Sequence, residues 1–139
     1  MEKAIIVSGY FNPLHKGHIE YFHFAKSLGE KLIVIVNNDI QRNLKGSEEF
    51  MMEDERCLII KELSIVNEVF LSIDKDRTVI QSLKQIHKNY SKEYSLFFAN
   101  GGDQNNNSIP ENNVCQKLGI NLIDGMGNKI QSSSWLLKK

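Results

Sequence analysis

The sequence predicts an α/β fold: a single-domain, doubly wound (Rossmann-like) five-stranded parallel sheet over residues 1–139. Two observations carry this. Its strand candidates are short, continuous apolar runs rather than alternating ones, as expected of strands covered on both faces. They also alternate with stretches of helical spacing, which is how a chain builds right-handed crossovers between parallel strands.

Ala4 to Ser8 is the first such run and Leu32 to Val36 the second. Between them Ile19, Tyr21, Phe22, Phe24, Ala25 and Leu28 recur at helical spacing, and Gly29 follows as a C-terminal cap. A helix is expected from about Glu53 to Ile65, a strand near Val69 to Ser72, a helix from about Thr78 to His87 and a strand from Ser95 to Ala99. After the polar loop Gln104 to Ser108, Pro110 stands where a helix begins and Gly119 where it ends. Asn121 to Ile123 makes the fifth strand, and a short helix around Ser133 to Lys138 closes the chain.

Size and charge narrow the function classes. A chain of 139 residues buries one core without staples. Seventeen basic and seventeen acidic side chains cancel, so no bulk field recruits nucleic acid or an anionic membrane, and neither is an expected partner. The longest apolar run, Leu32 to Val36, is too short to span a bilayer, and the first strand starts after three residues, which leaves no room for a signal peptide. Cytoplasm is the expected compartment. Cys57 and Cys115 fall in helical stretches without CxxC spacing and are expected to be buried free thiols.

In this fold class ligands bind outside the carboxyl ends of the strands. The unusual residues collect there: Gly9 to His18 after the first strand, Asn37 to Gly46 after the second, and Asn100 to Asp103 after the fourth. The segment Gly9-Tyr10-Phe11-Asn12-Pro13-Leu14-His15-Lys16-Gly17-His18 runs into a helix start, where backbone amides and the helix dipole hold phosphate. His15 and His18 can face one side, and Gly17 lets a triphosphate approach the backbone. Two imidazoles so placed can bind phosphoryl oxygens as charge develops on them.

This segment resembles the GxFDxxHxGH signature of the cytidylyltransferase-like nucleotidyltransferases. Val36-Asn37-Asn38-Asp39, Lys45, Glu55-Arg56, Gly101-Gly102-Asp103 and Ile130-Gln131-Ser132-Ser133-Ser134 follow in the order of that family's later motifs. Within the family the chain is most similar to glycerol-3-phosphate cytidylyltransferases and heptose-phosphate adenylyltransferases. The resemblance implies transfer of a nucleoside monophosphate, CMP favoured over AMP, from a nucleoside triphosphate to a phosphorylated small molecule, with release of pyrophosphate. It implies catalytic His15, His18 and Lys45, and nucleotide contacts from Gly9, Tyr10, Phe11, Gly17, Asp103, Ser132, Ser133 and Ser134. Arg56 and Lys129 are implied at a substrate phosphate, and the protein as a homodimer. Mg²⁺ is expected with the triphosphate, held by water and phosphate oxygens rather than by a dedicated carboxylate cage.

Three departures from the pattern stand out. Asn12 replaces the usual aspartate, three serines replace Ser-Thr-Thr, and Lys129 stands where an arginine is usual, lacking its bidentate fork. Competing roles stay open for several residues. Lys45 also reads as a surface lysine, Arg56 as half of a structural ion pair, Asp103 as a turn cap, and the serines as a helix cap.

Rival functions are weaker. A dinucleotide-dependent oxidoreductase lacks its Gly-x-Gly-x-x-Gly here, and a silent nucleotide sensor has no need of both histidines. A His-x-x-His metal site finds no third ligand nearby in sequence. His23 and His87 have no comparable setting.

Overall fold

The computed structural model describes residues 1–99 and 110–123. In chain order the elements are β1 (Glu2–Gly9), α1 (Lys16–Lys26), β2 (Lys31–Val36), α2 (Asp39–Lys45), α3 (Glu53–Lys61), β3 (Glu68–Leu71), α4 (Ile80–Tyr90), β4 (Tyr94–Ala99), α5 (Asn112–Leu118) and β5 (Asn121–Ile123). The five strands form one parallel sheet of order β3-β2-β1-β4-β5, with Ile6 beside Ile33 on one flank and Phe98 on the other. The expected doubly wound architecture is present.

Alternation along each strand splits the core into two layers. Ala4, Ile6, Ile33, Ile35, Leu96 and Phe98 face Leu83 and Ile86 of α4 and Val114 and Cys115 of α5. Ile5, Val7, Leu32, Val34, Val36 and Ala99 face Phe22 and Ala25 of α1 and Ile60 of α3. Both faces are covered, which is why the strands read as unbroken apolar runs.

Boundaries shift where local chemistry overrides spacing. Gly29 was expected to cap α1, yet that helix stops at Lys26 with Ser27 as its cap. Gly29 instead passes so close to β1 that an added Cβ would stand 2.7 Å from the Lys3 carbonyl oxygen. Helix α3 ends at Lys61, short of Ile65, because Leu63, Ile65 and Val66 continue the apolar pattern from a turn packed on the core. Helix α4 begins two residues late because buried Asp74 sits at its start, accepting from the Gln81 and Ser82 amides. Gly119 ends α5 in the left-handed region at φ 79°, as its position suggested.

One helix was not foreseen. The stretch after β2, for which no element was expected, contains α2, started by Asn38, whose side chain accepts from the Gln41 amide while Gln41 Oε1 accepts from the Asn38 amide. The Gln41 side chain is fully buried and donates to the carbonyls of Asp76 and Thr78, tying α2 to the approach to α4. Of the two cysteines, Cys115 is buried and Cys57 only half-buried, both as free thiols. No helix among the described residues is long and apolar enough to cross a membrane. The expected C-terminal helix lies outside the described residues.

Candidate active site

Strand order reverses between β1 and β4, so the crevice of this sheet opens beyond Gly9 and Ala99. Tyr21, buried on α1, spans it by donating to the Ala99 carbonyl at 2.9 Å. The Gly9–His18 segment lies at that opening, and almost every step of it is fastened.

The Gly9 carbonyl accepts from the Asn37 amide, and the Tyr10 carbonyl from Arg56 Nη1 at 2.7 Å. Phe11 adopts a left-handed φ of 53°, uncommon for a bulky residue, which turns its ring inward until only 2% of it is exposed. The ring packs edge-on against Phe22 and against His18, with centroids 5.3 and 4.9 Å away. Gly9 makes room for it, since a Cβ there would stand 2.7 Å from Phe11 Cζ. Asn12 precedes a cis bond to Pro13.

His15 then caps α1. Its Nδ1 accepts from the Gly17 amide at 3.0 Å, and His18 Nδ1 accepts from the His15 amide at 3.1 Å. An Nδ1 that accepts carries no proton, so the proton of each neutral ring sits on Nε2, which is left as a donor. The rings stack with centroids 3.8 Å apart. Burial, with His15 beside it, lowers the His18 pKa to about 4, so His18 works as a neutral hydrogen-bond donor at pH 7. The first turn of α1 holds no acidic residue to compete for that position with an anion.

Lys45 joins this assembly from α2, of which it is the last residue rather than part of a loop. Its ammonium lies 4.3 Å from the centroid of the Tyr10 ring. The structure thus brings Gly9, Tyr10, Phe11, His15, Gly17, His18 and Lys45 together. Asp103, Lys129, Ser132, Ser133 and Ser134 lie outside the described residues.

Arg56 requires a correction. Expected at a substrate phosphate, it is fully buried, and its guanidinium donates to the carbonyls of Met51, Tyr10 and Asn37 and to Asp39 Oδ1 at 2.7–3.0 Å. It is a structural hub beneath the site, turned away from solvent, because its fork suits several backbone acceptors at once. Asp39 also exchanges caps with α3: its amide donates to Glu53 Oε1 and its Oδ2 accepts from the Glu53 amide.

Three contributors escaped the sequence reading. Asn12 showed only as a departure from a motif, and nothing in sequence announces its hydrogen bonds to residues 48–51. Asn38 and Gln41 did carry a signal, the spacing of a capping box.

The fold and this opening define an α/β protein whose crevice lies beyond the carboxyl ends of the central strands. The comparisons name the class. Residues 6–126 match the model of the cytidylyltransferase-like family, and the chain belongs to that family of nucleotidyltransferases. It is 38% identical over 110 residues to the bifunctional protein HldE of Blochmanniella floridana, covering 78% of this chain and 21% of that protein. It is 28% identical over 134 residues to the FAD synthase of Picrophilus torridus, covering 94% of this chain and 90% of that one. The chain therefore spans about a fifth of HldE and nearly all of the FAD synthase. Among solved structures, the lipopolysaccharide core biosynthesis protein from Thermoplasma volcanium GSS1 superposes with a TM-score of 0.68 at 25% identity, covering 88% of this chain and 93% of that one.

Proposed function

We propose that the protein transfers a nucleoside monophosphate from a nucleoside triphosphate to a phosphorylated small molecule, releasing pyrophosphate, with His15 and His18 as the groups that meet the triphosphate. One observation carries the reading. Both imidazoles are locked by backbone amides at Nδ1, which leaves two preset Nε2–H donors side by side at the start of α1.

In this reading an acceptor phosphate oxygen attacks the α-phosphorus in line, the bond to the bridging oxygen breaks, and pyrophosphate leaves. The His15 and His18 donors stabilise charge on the phosphoryl oxygens, and Lys45 neutralises the outer phosphates. No covalent enzyme intermediate forms. Among the described residues no group of three or more His, Cys, Asp or Glu gathers to hold a metal ion. In this reading Mg²⁺ arrives as part of the magnesium–triphosphate substrate.

AMP is the better choice of transferred group. The relatives found include an FAD synthase and HldE, which has a heptose-phosphate adenylyltransferase domain. This moves the preference from the CTP favoured by the sequence to ATP. CTP stays the second reading because the matching family is cytidylyltransferase-like. The test is pyrophosphate release with each of the four triphosphates against sugar phosphates, polyol phosphates and flavin mononucleotide. Turnover highest with ATP supports the proposal, and pyrophosphate release with no pair overturns it.

A further inference from the structure

Asn12, one of the three departures from the pattern that the sequence resembles, holds its side chain by three hydrogen bonds. Asn12 Nδ2 donates to the Glu48 carbonyl at 2.7 Å, while Oδ1 accepts from the amides of Phe50 at 3.0 Å and Met51 at 2.8 Å. The orientation is fixed by chemistry: two backbone donors demand the oxygen, and a carbonyl demands the NH₂. An aspartate could keep the two bonds accepted from the Phe50 and Met51 amides but would set a carboxylate against the Glu48 carbonyl.

The segment that Asn12 grips is itself held to the core. Arg42 donates to the Ser47 carbonyl and Arg56 to that of Met51. Upstream in the catalytic loop, Gly9, Tyr10 and Phe11 are tied down by Asn37, Arg56 and the core; between Phe11 and the His15 cap Leu14 packs on the core and Asn12 supplies the hydrogen-bonded anchors. We infer that Asn12 is a positioning residue, whose neutral carboxamide latches the Gly9–His18 loop to residues 48–51 and thereby sets the two imidazoles.

The inference rests on the transfer reading of the histidine pair, and its test separates the two. Asn12→Ala and Asn12→Asp are compared with wild type by steady-state kinetics, by amide hydrogen exchange at Phe50 and Met51, and by the NMR titration of the His18 ring. Asn12→Ala is expected to expose both amides and to move the His18 pKa up from about 4 toward the ordinary 6.5 as the stack loosens. It lowers turnover by about tenfold or more, as small misplacements of reacting groups do, with the Michaelis constant for triphosphate within about threefold. Asn12→Asp, which keeps two of the three bonds, falls between.

Turnover of Asn12→Ala within about twofold of wild type overturns the inference. So does lost turnover with an unmoved His18 titration. An order in which Asn12→Ala matches wild type and only Asn12→Asp fails shows that the added charge matters and the latch does not. If wild type itself transfers nothing, the proposed function fails, and the His18 titration with the amide exchange still decides the latch: a shift supports it and no shift overturns it.

Discussion

Substituting Met for Arg56 keeps most of the side-chain volume and removes every donor of a fully buried guanidinium. Three backbone carbonyls, of Met51, Tyr10 and Asn37, lose a partner, and Asp39 Oδ1 loses its closest cation at 2.7 Å. Asp39 stays partly solvated and keeps its bond from the Glu53 amide, so the carboxylate is not stranded. The carbonyls are the larger loss. Leaving a buried acceptor unpaired costs about 1–3 kcal/mol, and with partial relaxation around the methionine the three carbonyls together cost about 3–5 kcal/mol. An unfolding entropy of about 2.1 cal/mol/K per residue gives about 0.29 kcal/mol/K for a chain of 139 residues, so the melting temperature should fall by roughly 10–17 °C. Thermal unfolding followed by far-ultraviolet circular dichroism measures this directly. Arg56→Lys, with a point charge in place of a fork, should recover only part of the loss. A melting temperature for Arg56→Met within about 3 °C of wild type, under about 1 kcal/mol on the same scale, would refute the assignment of Arg56 as a hub.

Gly9→Ala drives a methyl group into the Phe11 ring, at a cost of about 1–3 kcal/mol, and displaces the ring from its edge contact with His18. Turnover should fall by on the order of ten- to a hundredfold in a folded protein, and a kinetically normal variant counts against that contact. Lys45→Ala should weaken triphosphate binding more than monophosphate binding by roughly tenfold in calorimetric titration, and equal losses exclude a role at the outer phosphates. The His18 pKa of about 4 lies below its ordinary 6.5, so the unfolded chain takes up that proton first as the pH falls. Stability is therefore lost between about pH 6.5 and 4, and His18→Asn should flatten that part of the curve in chemical denaturation. Parallel curves for the two proteins rule out a depressed His18.

Much of this was legible in sequence because burial on both faces of a parallel sheet leaves a plain record. Leu32 to Val36 reads as a strand because all five residues are buried. The first loop was legible for another reason: Gly9, His15 and His18 each meet a demand of backbone or chemistry that few residue types satisfy. Helix α2 was missed because its buried positions are Gln41 and Arg42, so no apolar stripe marks it and only the cap spacing does. Arg56 stayed open between a substrate phosphate and an ion pair, and the structure shows the pair with Asp39, because an arginine on a polar stretch looks alike in sequence whether it faces solvent or three carbonyls from distant segments. Asn12 stayed mute because its partners lie 36 to 39 residues away.

In the proposed reaction the transferred group is a nucleoside monophosphate and the paired imidazoles drive the transfer. Triphosphate labelled at the α-phosphorus in one reaction and at the γ-phosphorus in another, with an acceptor that supports turnover, tests it most directly. The α label should appear in the acceptor product and the γ label in pyrophosphate, and both signals should fall by about two to three powers of ten in His15→Ala and His18→Ala. Movement of the γ label onto the acceptor, its release as inorganic phosphate, or undiminished transfer in both histidine variants would contradict the account.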